Sequence, residues 1–530
     1  MDTQPGIAVS APDLAWIAAL KAEGKYAAAA ETLGRLYTNA PASQRYLLLC
    51  EWEELAFALR PAAVTTPHPS VLGVVPALSE LLQSGHLSQA ERAMLMARLA
   101  RQQSWPDPSV HIPLAHEALP LARKSGDLET LIYALFCLHT TLDSPRFMAQ
   151  RLQLSAELTS LAMQQPSQLL RAMAHWRAVT DALLTADSAG FDFHLEQLTH
   201  AAESTGDRFW LTAARIVSAT RELIRGSYDQ AEALLPQILE TAGNSMTGMS
   251  MPAVTSVGLL ARYQRGRGSM EGLSRMFQGV RSEHVAFRVG MAYYLATSGR
   301  PTEAAAEIGP VVLEDLPDDA GLVPSLCMAA EIAAHYFKDV ETARSAYALL
   351  LPFDGLMSVS GECMGCWGPV SLYLGMTAQF LGDPAAAGHL EDARKTAAGL
   401  RARPWLGRAN LLLGLERRNE RPDEAAALLS EALNIAERLG LPSLAAEARA
   451  ALRPEAPRAQ AQSRTTLTAR EREILGLVAR GLTSAEAAAQ LVLSPRTVEK
   501  HLEHAYAKIG ARNRAEGISW AIVNGLTEDA

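Results

Sequence analysis

The chain has 530 residues, of which 48% are hydrophobic and 20% charged, and this balance excludes a bulk-disordered polymer while leaving room for more than one domain. Its net charge of −9 is uneven: residues 465–530 hold eight Lys/Arg and eight Asp/Glu, so the rest, with 40 basic against 49 acidic groups, carries all of it. Five cysteines exclude a disulfide scaffold, and no apolar run approaches the roughly 18–20 residues of a membrane span. The opening MDTQPGIAVSAPDLAWIAAL lacks the basic start of a signal peptide, so a cytoplasmic protein with no membrane partner is expected.

From about residue 12 to 452 the patterns are helical. A glycine or polar residue recurs with an alanine five positions later, at Gly24/Ala29, Gly85/Ala90, Gly226/Ala231, Gly299/Ala304, Lys338/Ala343, Gly382/Ala387 and Glu420/Ala425. From Gly299 onward the intervals are 39, 44 and 38 residues. The helices that follow carry apolar stripes such as Ala425, Leu428, Leu429, Ala432 and Leu433, the spacing of a face packed on a neighbour. Paired helices at a period near 40 predict a helical solenoid. The units resemble tetratricopeptide repeats, although their period is longer and most of the aromatic positions are missing. Trp176, Trp210 and Trp405 fall in helical patterns, with core packing as the default and a concave binding face as the alternative. GNSMTGMSMP (243–252) and LPDDAGLVP (316–324) read as long turns between repeats.

Within this region Cys363-Met-Gly-Cys366 is the one chemically suggestive cluster. The pattern predicts both thiols at the start of a helix running to about Leu381, where a helix N-terminus favours thiolates. A structural zinc site needs a second pair of ligands, so buried, inert thiols are the plain alternative to a redox or metal-sensing role and no metal or cofactor is expected. No G-x-x-x-x-G-K-[ST], H-E-x-x-H, G-x-S-x-G or dinucleotide fingerprint occurs, so no enzyme activity is expected.

Arg453 to Thr466, RPEAPRAQAQSRTT, has two prolines and no periodicity and reads as a linker over 453–466. Beyond it, 467–526 predicts four short helices. Thr468 with Glu471 and Thr483 with Glu486 are capping boxes, Ser494-Pro495 sets a cap and an N1 proline, and Asn513 with Glu516 is an Asn-capped relative. Gly481 supplies a stop after the first helix. In the third helix Val498, Leu502, Ala505 and Ile509 form an apolar stripe, beside a polar one of Thr497, Lys500, His501, His504 and Lys508. A short helix, a tight turn and a helix with a polar outer face form the helix-turn-helix plan for a major groove. The alternative is a small solvated bundle.

These residues carry a family resemblance. LTAREREIL (467–475), GLTSAEAAAQL (481–491), SPRTVEKHL (494–502) and KIGARNRAE (508–516) resemble, in order and spacing, the DNA-binding domain of LuxR-class bacterial transcription regulators. The resemblance implies an all-α chain in two parts, a tetratricopeptide-like body followed by a four-helix head whose third helix reads operator DNA. Thr497, Lys500 and His504 are then expected at base edges, with Arg496, Lys508 and the cap region at Thr483 and Ser484 near phosphates. Glu499 and Glu503 stand where basic residues are common in the family, and Ala485 where lysine is usual. The fourth helix often forms a dimer contact in this class, so Gly517, Trp520 and Ala521 are expected at a homodimer interface. The ATPase module that many large members carry is not expected here. Expected partners are double-stranded DNA, RNA polymerase, and a small-molecule, peptide or protein effector at the body. A scaffold protein with a degenerate head is the rival reading.

Overall fold

The computed structural model describes residues 9–59, 68–84, 86–103, 108–243, 247–265, 285–309, 311–453, 467–509, 511, 514–523 and 526. The expected linker, apart from Arg453, lies outside these residues, as do Gly85 and Asn513. Contacts divide the chain into two compact units, Met1–Leu452 and Arg453–Ala530.

The first unit opens with α1 (Ala11–Ala22), α2 (Tyr26–Asn39), α3 (Ala42–Ala58) and α4 (Val74–Gln83). There follow α5 (Gln89–Gln103), α6 (Pro108–Ser125), α7 (Leu128–Thr141), α8 (Met148–Met163) and α9 (Gln168–Leu184). The middle holds α10 (Ser188–Thr205), α11 (Arg208–Arg225), α12 (Tyr228–Ala242), α13 (Thr247–Gln264), α14 (Val285–Thr297) and α15 (Pro301–Ile308). Next come α16 (Leu322–Glu331), continued by a π-helical stretch Ile332–Phe337, and α17 (Val340–Leu350). A two-stranded hairpin, β1 (Met357–Val359) and β2 (Cys366–Pro369), precedes α18 (Val370–Leu381), α19 (Ala386–Gly399), α20 (Arg403–Arg417), α21 (Pro422–Leu439) and α22 (Pro442–Leu452).

The glycine–alanine spacing has a local cause. Gly24, Gly226, Gly299 and Gly382 take φ of +75°, +77°, +74° and +71°, and Lys338 takes +55°. Such a left-handed residue ends a helix and turns the chain, as when the Gly226 amide bonds back to Glu222 and Leu223 carbonyls. Five residues on, Ala29, Ala231, Ala304 and Ala343 are fully buried in the next helix, where a small side chain permits close packing. After Gly382 the buried position is Ala386, not Ala387, and Glu420 takes no left-handed turn although Ala425 is buried. The same device recurs at Gly440 and Ala445. Where α20 meets α21 the approach is very close: a Cβ on Gly414 would lie 2.8 Å from Leu429 Cγ.

Most helices pack on their neighbours in sequence, and alternate helices also pack on each other. One such row is α5, α7, α9, α11 and α13; another is α14, α16, α18, α20 and α22. A long core runs through both, and Trp176, Trp210 and Trp405 are buried within it. The unit also curls back on itself. Ser144 meets Asp318 at 2.6 Å, Arg177 on α9 pairs with Glu362 at 3.2 Å, and Thr220 on α11 donates to the Cys363 carbonyl at 2.6 Å.

Two expectations are corrected here. Thr247 to Pro252 form the first turns of α13, so the Met-rich stretch is mostly helix rather than a long loop. Cys363 and Cys366 do not begin a helix: Cys363 sits in the hairpin turn at φ +59°, Cys366 starts β2, and the next helix begins at Val370. The turn is closed by the Ser360 amide on the Gly365 carbonyl at 3.0 Å, and Gly368 lets β2 lie against Trp405, where any Cβ would clash. Strands of three and four residues are too short to show alternation in a sequence.

Candidate nucleic-acid interface

The second unit contains α23 (Ala469–Ala479), α24 (Ser484–Leu491), α25 (Pro495–Ile509) and α26 (Arg514–Val523). Both capping boxes form. Thr468 accepts from the Glu471 amide while Glu471 accepts from the Thr468 amide, and Thr483 and Glu486 do the same. Ser494 Oγ accepts from the Thr497 amide at 3.1 Å and shares a 2.7 Å hydrogen bond with the Thr497 hydroxyl. Gly481, at φ +95°, follows the end of α23.

Between α24 and α25 the chain turns through Val492, which holds φ +55° and is 91% exposed. A β-branched residue in this left-handed conformation is strained, because Cβ crowds the following carbonyl. The turn brings α25 across α23 and α24. Val498, Leu502 and Ala505 are buried and Ile509 partly so, which is the predicted apolar stripe. They close on Ile474, Leu475 and Val478 of α23 and Ala487 and Ala488 of α24.

The opposite face of α25, a helix of 15 residues, is open to solvent. Arg496, Lys500 and His504 are exposed one turn apart, with Glu499 and Glu503 exposed beside them. Thr497 and His501 are half-buried. Among the described residues no hydrogen bond or ion pair holds Arg496, Lys500 or His504. Arg470 and Arg514 of the unit are engaged instead. Arg470 donates to the Leu491 carbonyl at 2.9 Å and Arg514 to the Leu482 carbonyl at 2.6 Å, tying helix ends together.

Lys508 belongs with these tied groups. Its ammonium bonds both oxygens of the buried Glu471 carboxylate, at 2.8 and 2.6 Å, and so joins α25 to the first turn of α23. Burial works to raise the Glu471 carboxyl, but the Lys508 and Thr468 bonds outweigh it and hold the group below the ordinary value. Lys508, expected near phosphates, is thus bonded within the head to a buried carboxylate. Thr483 is likewise committed to its capping box, and the Glu486 carboxylate that it faces places a negative charge at that helix start; Ser484 is half-buried.

The expected dimer stripe points inward. Gly517 is buried against α25, where a Cβ would come 2.2 Å from Tyr506 Cε1, and Ala521 is fully buried. Trp520 is half-buried on the same core. Packing within the unit thus occupies Gly517 and Ala521, and α26 needs the glycine because the Tyr506 ring leaves no room. Asn524, next on that stripe, lies outside the described residues.

In the first unit, Cys363 and Cys366 are free, fully buried thiols, and burial pushes each up to about 12. Among the described residues no group of three or more His, Cys, Asp or Glu is arranged to hold a metal ion. No helix among them is long and apolar enough to cross a membrane.

A capped four-helix unit with a short helix, a tight turn and a helix exposing a polar face is a helix-turn-helix domain. Residues 465–521 match the family described as bacterial regulatory proteins, luxR family. The spore germination protein GerE of Bacillus subtilis is 37% identical over 57 residues, which are 11% of this chain and 77% of GerE. The chain belongs to the luxR family of bacterial regulatory proteins. It is also 44% identical over 61 residues to the response regulator Rre1 of Synechocystis, and 44% identical over 54 residues to the probable transcriptional regulatory protein SgaR of Hyphomicrobium methylovorum. Those stretches are 12% and 10% of this chain, and it spans about a quarter (26%) of each of the two. The family match lies in the C-terminal unit.

Proposed function

We propose that this protein is a DNA-binding transcription regulator. Its head inserts α25 into the major groove of double-stranded DNA, with Lys500, Thr497 and His504 toward base edges and Arg496 toward phosphates. Its body, residues 12–452, acts as a tetratricopeptide-like helical-repeat receiver for a small-molecule, peptide or protein signal. The carrying observation is that Arg496, Lys500 and His504 stand unengaged on one exposed face while Arg470, Lys508 and Arg514 are bonded internally. The two rows in which alternate helices pack on each other support the repeat reading. A cytoplasmic homodimer on a two-fold operator, contacting RNA polymerase, completes the proposal, because a single neutral head neutralises few phosphates and two double the contacts. Gly517 and Ala521 are buried within the head itself.

Binding of the full chain to a duplex library, followed by anisotropy across a salt series, tests this reading. Lys500→Ala is expected to cost ~1–3 kcal/mol at a selected operator, about five-fold to 150-fold. Affinity that ignores salt, or an unchanged Lys500→Ala, defeats it. Glu499 and Glu503, exposed beside the cations, favour a second reading in which the head serves protein contacts. Under it no duplex is retained.

A further inference from the structure

The body contains a cavity of about 280 Å³, walled by α13, α14, the α16 end with its π-helical turn, β2, α18, α20 and α22. It therefore lies along the second row of alternate helices. Its size is near the small end of ligand pockets, enough for one small molecule rather than a folded partner.

Five aromatic rings line it: Tyr293, Tyr336, Trp367, Tyr373 and Trp405. They are held in place by the fold. Tyr293 and Trp367 meet edge to face with centroids 5.4 Å apart, and the Tyr373 hydroxyl donates to the Trp367 carbonyl at 2.6 Å. Tyr336 and His335 reach the wall from the π-helical turn Ile332–Phe337, a departure from regular helix that often accompanies binding sites.

Among the described residues the charged groups on the wall are Glu331, Arg408 and Glu447, two carboxylates against one guanidinium. Arg408 is bonded to Glu447 at 2.8 Å, so that pair is internally matched. Glu331 is left with a 3.1 Å hydrogen bond from the Tyr293 hydroxyl. Burial pushes its carboxyl above the ordinary range, only partly offset by the Arg408 charge and the Tyr293 bond. Burial and Arg408 hold His335 below its ordinary value. Among the described residues the cavity thus offers π-faces and a carboxylate lacking a matched cation.

We infer that this cavity is a binding site for a small organic ammonium compound, whose cationic head sits between Glu331 and the aromatic rings. Ring faces attract a cation through their quadrupole, the more so when it is desolvated, and a carboxylate at the same place adds direct charge pairing. The apolar remainder of the wall, including Leu372 and Met376, receives the hydrocarbon part. The inference rests on reading the body as the signal receiver and makes the ammonium compound its effector.

The test titrates the full chain calorimetrically with benzyltrimethylammonium, its uncharged carbon isostere neopentylbenzene, and phenylacetate. The cation is expected to bind at least about ten-fold more tightly than the isostere, with phenylacetate weakest. Glu331→Gln, which keeps the side-chain shape, is expected to remove about ten-fold of the cation's affinity. If that variant fails to fold, Tyr336→Leu on the more open wall takes its place, with a loss of the same order. No binding of the cation, equal binding of the isostere, a preference for phenylacetate, or affinity retained in the folded variants each overturns the site. Duplex binding is measured separately with and without the cation. A bound cation that leaves duplex affinity unchanged overturns the effector role, whereas a chain that binds the cation but no duplex defeats the regulator reading alone.

Discussion

Replacing Lys508 by Ala removes the ammonium that bonds both oxygens of Glu471. Hydrogen bonds to a charged group contribute about 1.5–3 kcal/mol, and stranding a buried carboxylate costs more. The Lys508 side chain is 32% exposed and that of Glu471 only 5%, so water reaches one partner and replaces part of what is lost. The Thr468 amide still donates to Glu471 at 2.7 Å. A net loss of about 2 kcal/mol in the head follows, roughly thirty-fold faster opening of α23 and α25. Hydrogen exchange of the full chain, read by mass spectrometry on peptides from those helices, measures it directly. The pH dependence has a definite sign. The Glu471 carboxyl is held below its ordinary value of 4.5, so its stabilisation is complete above that pH and fades as pH falls through the lower folded value. The contrast between wild type and variant therefore narrows below pH 4.5. A phosphate-binding Lys508 behaves oppositely. The variant then exchanges like wild type, while the slope of log affinity against log salt falls by about 0.9. That result refutes the internal role.

Further outcomes follow from the same packing. Val492→Asn relieves a β-branched left-handed turn and is expected to stabilise the head by ~0.5–1 kcal/mol, visible as slower exchange in α24 and α25; no change means that the turn relaxes in solution. Ala425→Leu, at a fully packed crossing, is expected to cost ~1–3 kcal/mol and lower the melting temperature of the body, and an unchanged melt contradicts the close approach of α20 and α21. Cys363 and Cys366, with thiols pushed up to about 12, are expected to resist iodoacetamide at pH 8 until the body unfolds, because only ~10⁻⁴ of each is thiolate there. Rapid labelling of native protein counts against their burial.

Much of the head was legible because its signals are local. A capping box needs only residues three apart, and an apolar stripe repeats every helical turn, so Thr468, Thr483, Ser494 and the Val498–Leu502–Ala505 stripe could be placed without knowing what they touch. The body's glycine–alanine spacing was legible for the same reason, since a left-handed stop and a buried alanine of the next helix lie five residues apart. It failed at Gly382, where an extra turn precedes α19 and shifts the buried alanine by one. The hairpin at 357–369 carried no such signal. Its strands are short and are sealed by α9 and α11, about 140–185 residues earlier in the chain.

By itself the sequence determined the helical class, the helix starts and stops, and the face of α25 that turns from the core, because each depends on neighbours within about four residues. The tertiary structure alone decided what the remaining charges and small residues do. Lys508 is polar on the same stripe as Lys500, yet only packing places Glu471, 37 residues away, within its reach. Gly517 resembles a surface contact until Tyr506 is set against it. Glu331, Trp367 and Trp405 are distant in sequence and share one cavity wall only because alternate helices stack in a row. Charge pairing and close contact act over a few ångströms in space, and distance along the chain does not record them.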